Sequence, residues 1–401
     1  MSTPENKRKR KRTTTKNKVK KKKQLLSTPQ STLFLSIPYD LLLHIVARVP
    51  VLYYPTLSLV SKSFRSLIAS PELYKVRSLL GRTESCLYVC LNMVDHFRKG
   101  PNWFTLCRKP DKTLTGKERS GYILARVPIP HSPNAEFSSL VAVGSDIYNI
   151  GVNQDRFKLT DCSSSVTILD CRSHTWREAP SLPVGLYACS AGVLDGKIYV
   201  AGQSPDGYSS YSLTKSVEVF EFDIKTQVWD PVPIPGRETK SPYMGSTACI
   251  DGKFNVVALG ESVAYDPKEG SWDLGPWLSG HMCSYSYCEI ENVLYSAAHG
   301  ALMWYDSQVK NWRVLKGLVG LPKFPPCAQV RLADYGGKIV AMWDLNAPYG
   351  NSPSYKTGIW CAEIALERLN SCEIWGKVEW VDNMLTIFDS FSLVKVIAAT
   401  V

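Results

Sequence analysis

The side chains that most often bind metals or act as nucleophiles are scattered along this 401-residue chain. It contains twelve cysteines and six histidines but no Cys-x-x-Cys pair, and the closest cysteines are Cys86 with Cys90 and Cys283 with Cys288. No histidine stands near these pairs at the spacing that zinc sites use. The pattern therefore predicts no catalytic residue, no metal site and no cofactor, and it indicates reduced, buried thiols in a cytosolic or nuclear protein.

Positive charge is confined to the N-terminus. Residues 1–23 hold twelve Lys or Arg and one acidic residue, which accounts for the whole formal net charge of +11. The rest of the chain holds equal numbers of basic and acidic side chains, so charge gives no reason to expect that the folded part binds nucleic acid or a membrane. No secretory signal is expected, and no run of about 18 apolar residues predicts a membrane span.

Two basic clusters in this tail are interpreted as a nuclear localisation signal, which predicts a protein of the nucleus, the cytoplasm or both. The residues assigned to the signal are Lys7, Arg8, Lys9, Arg10, Lys11, Arg12, Lys20, Lys21, Lys22 and Lys23. A solvated tail without a role is the plain alternative. A tail that attracts nucleic acid is another, but no base-reading motif accompanies it and no specific nucleic acid is expected.

The composition changes twice along the chain and predicts three regions. Residues 1–32 are rich in Lys, Thr and Ser and are expected to be disordered. Residues 33–80 show helical spacing, and residues 86–401 show the spacing of strands.

The helical region divides into short pieces. Ser36 and Pro38 mark the start of the first helix, with Pro38 in its first turn. Further short helices are predicted around Leu57 and Phe64. A last one is capped by Ser70 and stopped by Gly81.

From residue 86 onward the sequence repeats a hairpin in which two apolar strands flank a tight turn. The turns are Gly144-Ser145-Asp146, Asp195-Gly196 and Asp251-Gly252, with weaker copies at Glu291-Asn292 and Gly336-Gly337. A second element follows each of the first four hairpins: a strand ends in Asp and a Trp comes six positions later. These pairs are Asp170/Trp176, Asp223/Trp229, Asp266/Trp272 and Asp306/Trp312. The Asp is expected to bind the loop backbone, and the Trp is expected to pack between neighbouring sheets.

The combined unit of four strands in roughly 40–55 residues predicts a β-propeller of six blades. Five units are complete, the fifth with Gly358–Glu363 and Glu373–Trp380 as its outer strands. Residues 86–108 supply only half a unit, interpreted as its third and fourth strands. We expect segment 384–399 to pair with the strand Cys86–Leu91 and to complete that blade, because unpaired strand edges aggregate. A frayed C-terminal tail is the alternative.

Residues 33–80 resemble the F-box. The motif reads Ile37-Pro38-Tyr39-Asp40-Leu41-Leu42 and later Val60-Ser61-Lys62-Ser63-Phe64-Arg65, with Phe64 where the family often has Trp. The stretches Leu52–Leu80 and Glu373–Trp380 are similar to the plant F-box/kelch-repeat proteins. One glycine of the usual kelch pair is missing, as at Ile150-Gly151 and Ala201-Gly202.

The resemblance implies a small all-α F-box domain followed by an all-β kelch-type propeller. It also implies that the protein is the substrate-recognition subunit of an SCF-type ubiquitin ligase. This subunit would not itself be an enzyme. The F-box would bind a Skp-type adaptor and through it a cullin and a RING protein, and the propeller would bind an unknown protein substrate. The match of residues 33–80 to the F-box motif, together with their apolar spacing, predicts which residues bind the adaptor. They are Ile37, Pro38, Leu41, Leu42, Ile45, Val49, Leu57, Val60 and Phe64.

Other interpretations of these residues and of the whole chain stay open. Leu42, Ile45 and Leu67 suit the internal core of a helical bundle as well as they suit an interface. A nuclear propeller scaffold, or a nucleic-acid-associated binding protein without a ligase role, fits the tail. A kelch-type copper oxidase would need converging His and Tyr ligands, which the scattered histidines do not supply.

The substrate is not encoded in any motif. The longest candidate loops are residues 153–164, 203–215 and 346–356, and they are equally compatible with idle insertions.

Overall fold

The computed structural model divides into two compact units, residues 1–42 and residues 43–401. It describes residues 37–93, 100–109, 120–129, 131–153, 162–204, 216–234, 244–258, 262–276, 278–282, 285–325, 328–348, 355–387 and 391–401. The predicted disorder of residues 1–32 and the nuclear localisation residues lie outside these ranges.

The described part of the first unit is residues 37–42. Helix α1 (Tyr39–Val46) begins here. The Leu42 amide donates a hydrogen bond of 3.0 Å to the Pro38 carbonyl. Pro38 therefore lies just before the helix and not, as the sequence predicted, in its first turn. At that position the residue needs no amide hydrogen of its own.

The second unit opens with short helices. A 3-10 turn (Val51–Tyr53) leads into α2 (Tyr54–Leu57), and α3 (Lys62–Ile68) and α4 (Pro71–Leu79) follow. The hydroxyls of Ser61 and Ser70 accept hydrogen bonds from backbone amides three residues on, so each caps its helix. Gly81 follows α4 with φ +60°, as predicted for a helix stop.

Twenty-four strands in the described residues form six four-stranded antiparallel sheets. The first three strands are β1 (Ser85–Met93), β2 (Asn102–Arg108) and β3 (Tyr122–Arg126). Blade 2 consists of β4 (Leu140–Val143), β5 (Asp146–Ile150), β6 (Val166–Asp170) and β7 (Thr175–Glu178). Blade 3 consists of β8 (Tyr187–Leu194), β9 (Lys197–Ser204), β10 (Ser216–Asp223) and β11 (Val228–Pro231). Blade 4 consists of β12 (Met244–Ile250), β13 (Lys253–Ala258), β14 (Ser262–Asp266) and β15 (Ser271–Leu274), and helix α5 (Ser279–Met282) follows it. Blade 5 consists of β16 (Tyr287–Ile290), β17 (Val293–Ala298), β18 (Ala301–Asp306) and β19 (Asn311–Val314). Blade 6 consists of β20 (Val330–Asp334), β21 (Ile339–Pro348), β22 (Tyr355–Asn370) and β23 (Glu373–Ile387), and β24 (Phe391–Thr400) ends the chain.

The hairpin turns have the backbone that their residues predicted. Asp195 and Gly196 have φ of 51° and 76°, and Asp251 and Gly252 have φ of 53° and 69°. Two successive positive φ values match the right-handed twist of the strands on either side. The turn sequence therefore fixes the register of the inner strand pair in these blades.

The repeated Asp and Trp residues have the expected roles. The carboxylates of Asp223 and Asp266 accept hydrogen bonds from loop amides, such as Lys225 N at 2.7 Å. The indoles of Trp229 and Trp272 donate across to the preceding blade, to the carbonyls of Pro180 and Pro233, both at 2.8 Å. These two Trp residues thus join their outer strands to the end of the blade before. The buried Nε1 atoms of Trp176 and Trp312 have no hydrogen-bond partner among the described residues, and their rings pack on Trp103 and His281 instead.

The ring is closed by β24, which pairs antiparallel with β1 from Ser85 opposite Thr400 to Met93 opposite Phe391. The sheet order is β24-β1-β2-β3, so the first blade takes one strand from the C-terminus and three from the N-terminal side. The inner strand β24 contacts the inner strands of both neighbouring blades, β20 and β4. The predicted six-bladed, end-to-end closure is confirmed.

Two details of the predicted closure are wrong. The N-terminal strands are the second and third of their blade rather than the third and fourth, because Tyr122–Arg126 supplies the outer strand. Residues 384–387 do not pair with β1, because they continue β23 and pair with β22, as Leu385 does with Ile359. Those outer strands of blade 6 are 15 and 16 residues long, so this segment finds its hydrogen-bond partners within its own blade.

Candidate functional site

Apolar side chains at the start of α1 face solvent. Within residues 37–42, Tyr39 and Leu41 are 54% and 53% exposed, and Pro38 is also exposed. Ile37 and Leu42 are half-buried. An exposed Leu in the first turn of a helix loses the stabilisation of burial, so a binding role is the more economical interpretation for Leu41.

The helices of the second unit sort the remaining predicted residues into two groups. Ile45 and Val60 are 47% and 64% exposed, whereas Val49, Leu57 and Phe64 are half-buried. Helices α2 and α3, which carry Leu57 and Phe64, are in contact. The predicted set therefore contains both exposed and half-buried side chains.

The internal core of these helices is made by other residues. Leu43, Val46, Ala47, Tyr54, Leu67 and Leu73 are all at most 5% exposed. Leu67 thus belongs to the core, as one of the two open interpretations had it, while Ile45 does not. Sequence reasoning missed Leu59, which is 78% exposed beside Val60, and its position next to the Val-Ser motif was the signal that could have found it.

A buried arginine holds the helices on the first blade. Arg77 is fully buried, and its Nη1 donates to the carbonyls of Ala47 at 3.0 Å and Val49 at 2.9 Å and to the Tyr54 hydroxyl at 3.1 Å. Its Nη2 lies 3.2 Å from a carboxylate oxygen of Glu84, one residue before β1. The other oxygen of Glu84 accepts from an amide of the 3-10 turn at 3.0 Å. This network makes the connection between the helices and the propeller specific.

The inner strands of the propeller surround a polar channel. It contains a cavity of about 420 Å³, and a second cavity of about 550 Å³ shares its wall at Phe137. Lys395 Nζ lies 4.1 Å from the centre of the Phe137 ring, and the Arg331 guanidinium lies 5.5 Å from it. Two cations around one aromatic ring can bind acidic or aromatic groups of a partner.

Burial shifts the pKa values of the charged groups in this channel. Desolvation raises the pKa of Glu289 to about 7, although the Cys249 amide donates to its carboxylate at 2.6 Å. Desolvation also lowers the pKa of Lys395 to about 8 and that of Arg331 to about 10. The channel therefore changes its charge near neutral pH, and it can respond to a charged ligand.

Metal-binding side chains are not clustered in the described ranges. There, no group of three or more His, Cys, Asp or Glu side chains is placed to hold a metal ion. The rings of His281 and His299 have centres 5.6 Å apart. Among the same residues, no helix is long and apolar enough to cross a membrane. Most residues of the three candidate substrate loops lie outside the described ranges.

These features define a class of protein: a six-bladed β-propeller that is closed by its last strand and that follows a short helical segment in the chain. Comparison with known proteins agrees with it. The F-box domain model matches residues 34–76, and the model called FKB95, Kelch-repeats domain, matches residues 103–385.

The relatives are full-length matches. The F-box/kelch-repeat protein At5g51250 of Arabidopsis thaliana is 56% identical over 91% of this chain and 99% of its own length. The F-box/kelch-repeat protein At4g39550 of the same plant is 47% identical over the whole of both chains. This chain belongs to the F-box/kelch-repeat family.

Proposed function

We propose that this protein is the substrate-recognition subunit of an SCF-type ubiquitin ligase. The observation that carries the proposal is the exposure of Leu41 and Ile45 on α1 and of Val60 in the turn before α3, all within the matched F-box domain. The F-box implies a Skp-type adaptor as the partner, and the adaptor in turn would bring the cullin and the RING protein.

The adaptor would bind by covering these side chains. Burying a Leu, Ile or Val side chain contributes on the order of 1.5–3 kcal/mol. A few such anchors dominate the affinity of an interface, and truncating one typically costs about 2 kcal/mol or more.

The propeller would hold the protein substrate. Its channel offers Phe137 with two cations close to its ring and a cavity of about 550 Å³ beside it. Loops at the ends of propeller strands are free to vary without disturbing the blades, so they are the natural place for substrate selection.

The protein contributes proximity rather than chemistry of its own. It would hold substrate lysines near an activated ubiquitin and so raise their effective concentration. The Arg77 network would help to set the distance between the adaptor and the substrate. A nuclear site of action, carried by the basic tail, is part of the same proposal.

The test is capture of a purified Skp-type adaptor by full-length protein. The double variants Pro38→Ala/Leu41→Ala and Ile45→Ala/Val60→Ala should each bind at least about 30-fold more weakly, the equivalent of about 2 kcal/mol. The control Leu79→Ala truncates a side chain that is 86% exposed on α4 but is outside the proposed set, and it should bind normally. Undiminished capture by both double variants would contradict the proposal.

A further inference from the structure

A partly open cavity of about 300 Å³ lies between the helices and the first two blades. All of its lining residues belong to the second compact unit, residues 43–401. The 3-10 turn, α2, α3 and α4 form one wall. Strands β1, β2 and β3 and the turn of residues 171–174 in blade 2 form the other.

The size and walls of this cavity suit a small organic molecule. Its lining is mainly apolar and includes Leu52, Tyr54, Ile68, Tyr74, Leu106 and Val127. An apolar cavity of about 150 Å³ is large enough for one benzene ring, and small-molecule sites begin at about 300 Å³. This cavity therefore has room for two fused rings.

One polar pair of side chains in the wall, Tyr88 and His174, could orient a ligand in the cavity. The Tyr88 hydroxyl lies 2.9 Å from the Cys171 carbonyl and 3.1 Å from His174 Nε2. The hydroxyl has a single hydrogen, which it donates to the carbonyl, so His174 Nε2 must carry a hydrogen and donate to the Tyr88 oxygen. His174 Nδ1 is then left as a hydrogen-bond acceptor.

The imidazole stays neutral in this environment. Burial lowers the pKa of His174 to about 4, so it is uncharged at neutral pH and Nδ1 keeps its lone pair. Among the described residues, three arginines line the cavity: Arg172 is paired with Asp170 at 2.9 Å, Arg126 donates to the Asn102 side chain at 2.7 Å, and both Arg65 and Arg126 are exposed to solvent. The wall thus offers a neutral acceptor, and its three arginines are paired or exposed to solvent rather than buried as partners for an anion.

We propose that this cavity binds a neutral two-ring aromatic molecule that carries one hydrogen-bond donor, with the donor directed to His174 Nδ1. Such a ligand touches both the helices and the propeller. Binding it would therefore stabilise the packing of one against the other within residues 43–401.

The experiment uses the full chain and three related probes: 1-naphthol, naphthalene and 1-naphthoate. By titration calorimetry, 1-naphthol should bind one per chain and raise the melting temperature. Naphthalene lacks the hydroxyl and should bind about fivefold more weakly, because one hydrogen bond contributes on the order of 1 kcal/mol. The charged 1-naphthoate should bind more weakly than 1-naphthol.

Two variants locate the site. Ala125→Phe places a ring in the cavity and should abolish binding of 1-naphthol, and Ala69→Phe does so from the opposite wall if Ala125→Phe does not fold. His174→Gly suits the positive φ of 57° at this position and should remove the preference for 1-naphthol over naphthalene. Equal binding of the two probes by the unaltered protein, tighter binding of 1-naphthoate, or full binding by a folded cavity-filling variant would overturn the proposal.

Discussion

The closing strand β24 is the part of the propeller most open to a quantitative test. Leu393 in this strand is 1% exposed and belongs to the core that joins blades 1 and 6. Leu393→Ala keeps the backbone ladder to β1 but empties the space of three carbon atoms. The loss is thus limited to side-chain packing at the closure.

The expected magnitude follows from this burial. Replacing a fully buried Leu by Ala costs about 2–5 kcal/mol, so we expect the free energy of unfolding to fall by about 3 kcal/mol. For a chain of this size that corresponds to a melting temperature about 4 °C lower. The matched control is Leu274→Ala, because Leu274 is a strand residue that is 92% exposed, and its effect should stay within about 0.5 kcal/mol.

Denaturant and thermal unfolding of both variants provide the assay. Truncation after residue 390 is the stronger form of the test, since it removes the whole strand and leaves β1 with an open edge. Equal stability of Leu393→Ala and Leu274→Ala, or a truncated chain that melts like the full one, would refute the closure.

The remaining predictions concern the helices, the channel and the tail. Arg77→Met should destabilise the helical segment by about 3 kcal/mol, because it leaves buried carbonyls without donors. Faster hydrogen exchange in α1–α4 would show the loss. The control is Arg48→Met, which changes an exposed arginine. Glu289→Gln should stabilise the protein more at pH 8 than at pH 5. Because the pKa of Glu289 in the folded protein is raised to about 7, the unaltered protein loses stability as the pH rises from about 4.5 to 7, and the variant does not. Melting curves of both proteins at the two pH values would test this. Deleting residues 1–24 should lower the nuclear-to-cytoplasmic ratio of a fluorescent fusion, and an unchanged ratio would exclude the proposed signal.

Local signals in the sequence predicted most of the propeller. Turns such as Asp195-Gly196 need only their own two residues to reach positive φ, and the Asp–Trp spacing records contacts within one blade and with its neighbour. These features are read directly from the printed sequence.

The details of the closure depend on contacts that the sequence does not record locally. Strand Tyr122–Arg126 has no Asp–Trp marker, so its role as an outer strand was missed. The partner of Leu385 is chosen by competition between two ladders, one to β22 and one to β1, and periodicity does not decide between them.

The helices show the same division. Apolar spacing predicted that Ile45 and Leu67 each lie on a helix face, but not that Ile45 faces solvent while Leu67 is buried. Arg77 was missed because a charged side chain is rarely fully buried, and its position depends on carbonyls about thirty residues away along the chain.

The most direct test of the proposed function is hydrogen exchange of the full chain with and without a purified Skp-type adaptor. The account predicts slower exchange in residues 37–46 and 57–64 and no change in strands β4 to β23. Protection confined to the propeller, or no protection at a concentration that saturates binding, would contradict the claim that the F-box helices bind the adaptor.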